Sequence, residues 1–472
     1  MKETLNDRPK WRRARRFLIG VVTAATVVAI FYTEEDWRGK RAWEECKREL
    51  EAKGEVFDWN AYVPAPVPDD ENFFKAPMMT EWFLKPAGSK TNDLADKLKF
   101  SATFSLSMPM ADLTPKKATD FLALSDSAKP ELDMIREALK RPYARMDGDY
   151  QPWGSPVVSF ISLRFVAQVF AQRARCYLAL HEPQKALDEL VPLRGVTKLV
   201  GGKPEMLAAG MFNVVITGVY LNVVAEGLMM GEWSEVQLAG LQEQLRVVDL
   251  PPLFTDAFKE ELAATTLVIE NLTTADLEKF GMVPRDDVRI KIGKPIYWLV
   301  KIGPRGWLYQ NMVLTAEINY QVGKSFDLSN QTVSPHEVEK KTSIISTRLD
   351  GWSPFKTIAD QVIPNFSKAA EVIARNQTFA NEGQIVCALE RFRLAHGGYP
   401  ETLDALVPQF MEKIPNDMIG GQPLKYQRTS DGNFLLYSLG WNEKDEGGDV
   451  AHVKKGDVWE YGDWVWPMAG IY

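Results

Sequence analysis

The sequence predicts a mainly α protein: an N-terminal transmembrane helix, an array of helical hairpins, and a small C-terminal α+β module. Three observations carry this reading. Residues 17–33, FLIGVVTAATVVAIFYT, hold no charged side chain. From Thr114 to about Phe280, apolar residues recur at helical spacing between proline and glycine breaks. After Gly397-Gly398 the pattern changes to short runs such as FLLYSLG at 434–440, set between Gly, Pro and Asn turns. The expected organisation is a basic tail at 1–16, an anchor at 17–33, a juxtamembrane helix and proline-rich connector at 34–112, a helical repeat-like domain at 113–364 and the α+β module at 365–472.

The anchor comes first. Seventeen residues make about 26 Å of helix, slightly under a hydrocarbon core of about 30 Å. Trp11 and Tyr32 sit where interfacial aromatics belong. Seven basic side chains stand against Glu3 and Asp7 before the run, and Glu34, Glu35 and Asp36 follow it. That charge flip predicts a single pass through a bacterial inner membrane, N-terminus cytoplasmic and bulk of the chain outside. The competing reading is a cleaved signal peptide ending near Val27-Val28-Ala29, but Ile30-Phe31-Tyr32 continues the apolar run.

The charge balance limits the partners. The net charge is −7, and the first sixteen residues carry +5, which leaves −12 for the remainder. An acidic body argues against nucleic acid, which requires a basic face. The expected partners are the lipid bilayer through 17–33 and proteins of unspecified identity. Three cysteines, Cys46, Cys176 and Cys387, are too few and too scattered for a disulfide framework and read as free thiols. The four histidines have no metal-ligand spacing, and the glycine that a phosphate loop needs before Val322-Gly323-Lys324-Ser325 is replaced by Ile318.

Residues 34–54 alternate acidic and basic side chains at helical spacing and read as a solvated spacer helix stopped by Gly54. Alternating Pro64, Pro66 and Pro68 predict an extended connector over 58–86, with its aromatics lying along a surface. The run 100–106 reads as one strand. Thr114-Pro115 is a helix start, with Thr as cap and Pro in the first turn. Further helices are expected at 125–140, 156–180, 184–193, 206–225, 233–245, 253–280, 304–322, 335–349, 354–363 and 365–396. The 206–225 stretch is long enough to span a membrane, but Asn213, Asn222 and the missing basic flanks favour a core helix. Residues 295–300 read as an edge strand or an interfacial patch.

Two resemblances emerge. Phe170, Ala174 and Tyr177 with Ala186 and Leu190 place large and small packing residues as a tetratricopeptide hairpin does, which implies two closely packed helices. At the C-terminus, ERFRLAHGGYP at 390–400, the short helix at 403–406, IPND at 414–417, GQPLKY at 421–426, FLLYSLG at 434–440 and DWVW at 463–466 together resemble the major pseudopilin of type II secretion. The resemblance implies a long helix on a small antiparallel sheet, with Ile385, Leu389 and Phe392 as its packing face. The family's processing motif and membrane-helix glutamate have no counterpart before this module. The whole chain also resembles long, anchored bacterial proteins of uncharacterised function that share this tail.

The pseudopilin resemblance further implies a calcium loop after the second strand, here at 440–457, with Asn442, Asp445 and Asp449 as oxygen donors and a carbonyl near Leu439. Lys444, Lys454 and Lys455 oppose it, and a solvated acidic loop is the plain alternative. No short motif places a nucleophile, a base or a paired carboxylate, so no catalytic or cofactor-binding residue is assigned. The functional expectation is a membrane-anchored extracytoplasmic scaffold or protein-interaction protein, not an enzyme, serving as an accessory to a secretion or pilus-like system. The alternative is a cell-envelope glycan hydrolase using two carboxylates.

Overall fold

A computed structural model describes residues 8–84, 93–103, 106, 108–152, 157–200, 207–279, 293–363, 366–449 and 462–467. Helices dominate, with a small C-terminal region of short antiparallel strands. In chain order the helices are α1 (Arg8–Ala52), α2 (Met79–Phe83), α3 (Asp93–Leu98), α4 (Pro115–Ser125), α5 (Lys129–Ala138), α6 (Phe160–Ala179), α7 (Pro183–Val196), α8 (Leu207–Met230), α9 (Glu235–Arg246), α10 (Pro251–Asn271), α11 (Thr274–Lys279), α12 (Gly293–Ile302) and α13 (Arg305–Gly323). A two-residue hairpin pair, β1 (Phe326–Asp327) and β2 (Thr332–Val333), precedes α14 (Pro335–Leu349), α15 (Ala359–Val362) and α16 (Phe366–His396), and β3 (Lys425–Arg428), β4 (Phe434–Ser438) and β5 (Trp464–Val465) close the chain.

The chain divides into two compact units. The first holds Met1–Trp59, Leu262–Tyr320 and Ile345–Pro364; the second holds Asn60–Glu261, Gln321–Ile344 and Asn365–Tyr472. The divisions at 261/262, 320/321 and 344/345 fall inside helical runs, not in Pro- or Gly-rich linkers.

In the first unit, α1 is one uninterrupted helix of 45 residues, because no proline breaks it after its first turn. Its apolar stretch is exposed, and the helix is long and apolar enough to cross a membrane. Beyond it, the expected solvated spacer is corrected: Trp43 and Leu50, seven residues apart and therefore on one face, are buried against Leu262, Ile269, Leu308 and Met312. Asn311 ties the core's rim by accepting from the Ile358 N–H (2.9 Å) and donating to the Pro354 carbonyl (2.8 Å). The 295–300 run lies within α12, which overturns its reading as an edge strand; Ile296 and Leu299 are buried one turn apart.

In the second unit, α6 is central and packs on α4, α7 and α8. Phe170, Ala174, Ala186 and Leu190 are all buried at the α6–α7 contact region, as small-to-large packing requires. Thr114 caps α4, its Oγ1 accepting from the Lys117 N–H. The 58–86 connector is corrected: it folds into 3₁₀ turns at Trp59–Tyr62, Asp69–Glu71 and Phe73–Lys75 and then α2, and Phe73, Phe74, Trp82 and Phe83 are buried. Pro64, Pro66, Pro68 and Pro77 sit between those turns and α2, where no helical N–H is missed. The expected strand over 100–106 is also corrected. Lys99–Thr103 is a 3₁₀ helix, fixed by Gln172 Nε2 donating to the Ser101 carbonyl (2.9 Å); Phe104 and Ser105 lie outside the described residues. The long uncharged α8 is mostly buried, its Asn213 donating to the Thr197 carbonyl and accepting from Thr217.

Helix α16 packs on α8, α9 and β4. It ends at Gly397, whose φ of 81° is the left-handed stop that glycine adopts freely. The sheet runs β3-β4-β5, all antiparallel, with Tyr426 opposite Leu436 and Ser438 opposite Trp464. Ile385 and Leu389 are buried; Phe392 is half-buried and stacks on His396.

Candidate functional site

The second unit holds three polar constellations among its described residues. The first is the loop between β4 and β5. It opens at Gly440, φ 68°, where a Cβ would lie 2.2 Å from the Gly462 carbonyl oxygen, so only glycine lets the two ends of the loop meet. Asn442 Oδ1 accepts from the Lys444 N–H, and its Nδ2 donates to Glu446. Asp445 accepts from the Gly447 N–H and the Tyr437 hydroxyl, each at 3.0 Å, and faces Lys425 Nζ at 3.2 Å. These partners, the Gly447 N–H foremost, hold its carboxyl below the usual range. Asp449 closes a turn through its N–H on the Glu446 carbonyl.

Two residues of this loop were not singled out by sequence. Asp463 is buried and accepts from the Gly448 (2.7 Å) and Glu446 (3.1 Å) N–H groups through Oδ2. Its Oδ1 and Glu446 Oε2 are buried without a hydrogen-bond partner. Burial pushes the Asp463 carboxyl up to about 6, and the neighbouring Glu446 charge adds to that. A proton or a cation would relieve the buried Asp463 carboxyl beside the half-buried Glu446. The donor chemistry, hard carboxylate and amide oxygens, is of the kind that calcium takes. Among the described residues, no three His, Cys, Asp or Glu side chains are arranged to hold a metal. Residues 450–457 of the expected loop lie outside the described residues.

The second constellation is Glu382 and Asp417. Asp417 staples the end of β4, accepting from the Ser438 hydroxyl (2.8 Å) and from the Ile419 (2.9 Å) and Leu439 (3.2 Å) N–H groups; burial still pushes it up to about 6. Glu382 on α16 is fully buried and neither carboxyl oxygen has a partner. Burial, and then the Asp417 charge, raise its pKa well above the ordinary value.

The third is a cavity of about 590 Å³ between α7, α8 and α9, lined by Arg194, Lys198, Asn213, Gln244 and Asp249 with Val191 and Leu253. Arg194 donates to Thr197 (2.8 Å) and is held below its usual pKa by burial. Gln244 is oriented by the Tyr220 hydroxyl (3.1 Å). Asp249 is raised by burial alone. Among the described residues, it is the single acid lining this cavity. Two cations and one carboxyl suit a small polar ligand better than glycosidic cleavage, which requires two carboxyls across one bond.

Elsewhere the thiols are free, with Cys176 and Cys387 buried. His181 meets Glu232, and His336 offers its backbone N–H to Glu443; His452 lies outside the described residues. Compared with known protein families, curated proteins and solved structures, the chain matches none.

Proposed function

We propose that the chain is a single-pass membrane protein, N-terminus cytoplasmic, whose extracytoplasmic body is a helical scaffold for protein contacts. The observation that carries the reading is the contrast within α1. Its 17–31 stretch is apolar and exposed, while Trp43 and Leu50 of its far half are buried in a protein core. An exposed apolar helix beside a closed core requires another apolar phase. Seven basic residues before it and three acids after it give the orientation.

Three of the raised carboxyls favour a scaffold over a hydrolase. Glu382 and Asp417 are buried between α16 and β4, and Asp249 faces its cavity without a second acid in the lining. The α6–α7 hairpin favours a repeat-like helical array. The order of short matches from α16 to β5 favours a pseudopilin-like module, and with it an accessory role beside a secretion or pilus-like assembly. Asn442, Asp445 and Asp449 are the side-chain calcium donors in this reading. The test is a reporter active only in the cytoplasm, fused after Tyr472 and again before Met1. Signal from the N-terminal fusion alone is expected; full activity at Tyr472 overturns the topology.

A further inference from the structure

Within the first unit, the end of the apolar run is clamped to the α12–α13 corner. The Tyr32 hydroxyl donates to the Ile302 carbonyl. The Phe31 ring meets Trp307 edge-on at 6.3 Å. Trp307 Nε1 donates to Glu35 (2.9 Å), and the Gly306 N–H donates to Asp36 (2.8 Å). Gly39 and Gly306 bring the two backbones into direct contact: a Cβ on Gly306 would lie 1.9 Å from the Glu35 carbonyl oxygen. Ile302 is therefore held level with Tyr32, the last aromatic of the apolar run.

At that level the unit turns large apolar side chains outward. On α12, Trp298 and Ile302 are four residues apart on a face beside that of the buried Ile296 and Leu299, and are 50% and 59% exposed. Trp352 is 74% exposed, and its neighbour Phe355 packs on Trp307 at 5.9 Å. Lys301 holds its ammonium over Tyr297 and Trp298, 5.3 Å from each ring centroid. Tryptophan beside lysine, with an apolar side chain below, is the composition of a bilayer's headgroup layer.

We infer that this face of the first unit lies on the outer surface of the bilayer that α1 crosses, with Trp298, Ile302 and Trp352 in the boundary between headgroups and acyl chains and Lys301 beside lipid phosphate. The protein is then seated on its membrane by a collar of aromatic residues, not tethered by one helix. The occupant is lipid because the same residues that display the face, Ile302 and Trp307, grip the helix at the point where its apolar run ends. The inference rests on reading 17–33 as a membrane span.

The test uses the full chain in lipid nanodiscs, with Cys46→Ala and the two buried cysteines retained. A nitroxide is placed in turn at Gly20→Cys, Ile302→Cys and Glu137→Cys, and its collisions with oxygen and with a water-soluble nickel chelate are measured. Gly20 has nothing within 4 Å, and Ile302 and Glu137 are exposed, so each label fits without repacking. Expected is a deep reading at 20, a water reading at 137, and at 302 a headgroup-level reading with nickel collisions several-fold below those at 137. Deep at 20 with water at 302 overturns the collar and leaves the span intact. Shielding at 302 from both oxygen and nickel overturns it in favour of a protein partner. A water reading at 20 overturns the span itself, and the collar with it.

Discussion

Glu382 gives the sharpest test of the second unit's interior. Its carboxyl is fully buried on α16, neither oxygen has a partner, and burial with the nearby Asp417 charge raises its pKa well above that of an unfolded glutamate. Below about pH 4.3 both folded and unfolded chains hold the proton, so the group contributes nothing to the pH dependence. As pH rises past that point, the unfolded chain releases the proton and the folded one retains it. Each further pH unit then costs the folded state about 1.4 kcal/mol, until the buried group itself ionises. Glu382→Gln has nearly the same shape and no proton to lose. Above about pH 4.3 the wild type is thus expected to lose stability relative to the variant, by at most about 1.4 kcal/mol per pH unit. Hydrogen exchange of α16 amides through a urea series reads this unit by itself, free of the two-state assumption for the whole chain. Asp417, raised to about 6, titrates in both proteins and drops out of the comparison. Parallel stability–pH curves for the two proteins would refute the argument.

Arg173, buried on α6, donates to Glu189 (2.8 Å) and to Asp126 (2.8 Å). Arg173→Met strands the buried Glu189 with Arg136 alone and is expected to cost about 3 kcal/mol in urea unfolding; Arg173→Met with Glu189→Met should recover most of it, and equal losses in both would deny the pairing. If calcium holds the β4–β5 loop, a hundredfold excess over its dissociation constant stabilises the folded chain by about 2.7 kcal/mol, and Asp445→Ala with Asp449→Ala removes the gain; identical melting with calcium and with chelator removes the ion from the account.

What was legible in the sequence follows the strength of local signals. Helix α14 lies on its expected bounds, and α16 begins one residue from its own, because proline starts and a glycine stop are backbone requirements independent of tertiary context. The β4 strand and its β3 partner were expected from the resemblance of 421–426 and 434–440, and the two runs pair as antiparallel strands. The 58–86 stretch was misread because its prolines signal the backbone correctly but say nothing of where Phe73, Phe74 and Phe83 go, and burial decides that. The run at 100–106 was too short for its period to outweigh the bond that Gln172 makes to Ser101. The divisions at 261/262, 320/321 and 344/345 were invisible, since no linker marks a boundary that falls inside a helix. At the candidate metal loop, Asp445 was legible from the resemblance. Asp463 was not, because a lone aspartate before a strand as short as β5 carries no spacing signal, and only the fold returns it to Glu446.

The spacer reading of 34–54 failed in a way that bears on function. A helix that only lifts a body from the bilayer needs no apolar side chains beyond the membrane, and it tolerates any residue where Gly39 stands. Here α1 buries Trp43 and Leu50 in the first unit's core and meets Gly306 backbone to backbone at Gly39. A Cβ there would lie 2.3 Å from the Gly306 carbonyl oxygen. The same uninterrupted helix therefore carries an exposed apolar run long enough to cross a membrane and a core element of the first unit, with no hinge between them. With no flexible joint between them, whatever orients the apolar run also orients the α12–α13 corner that Tyr32 and Phe31 contact.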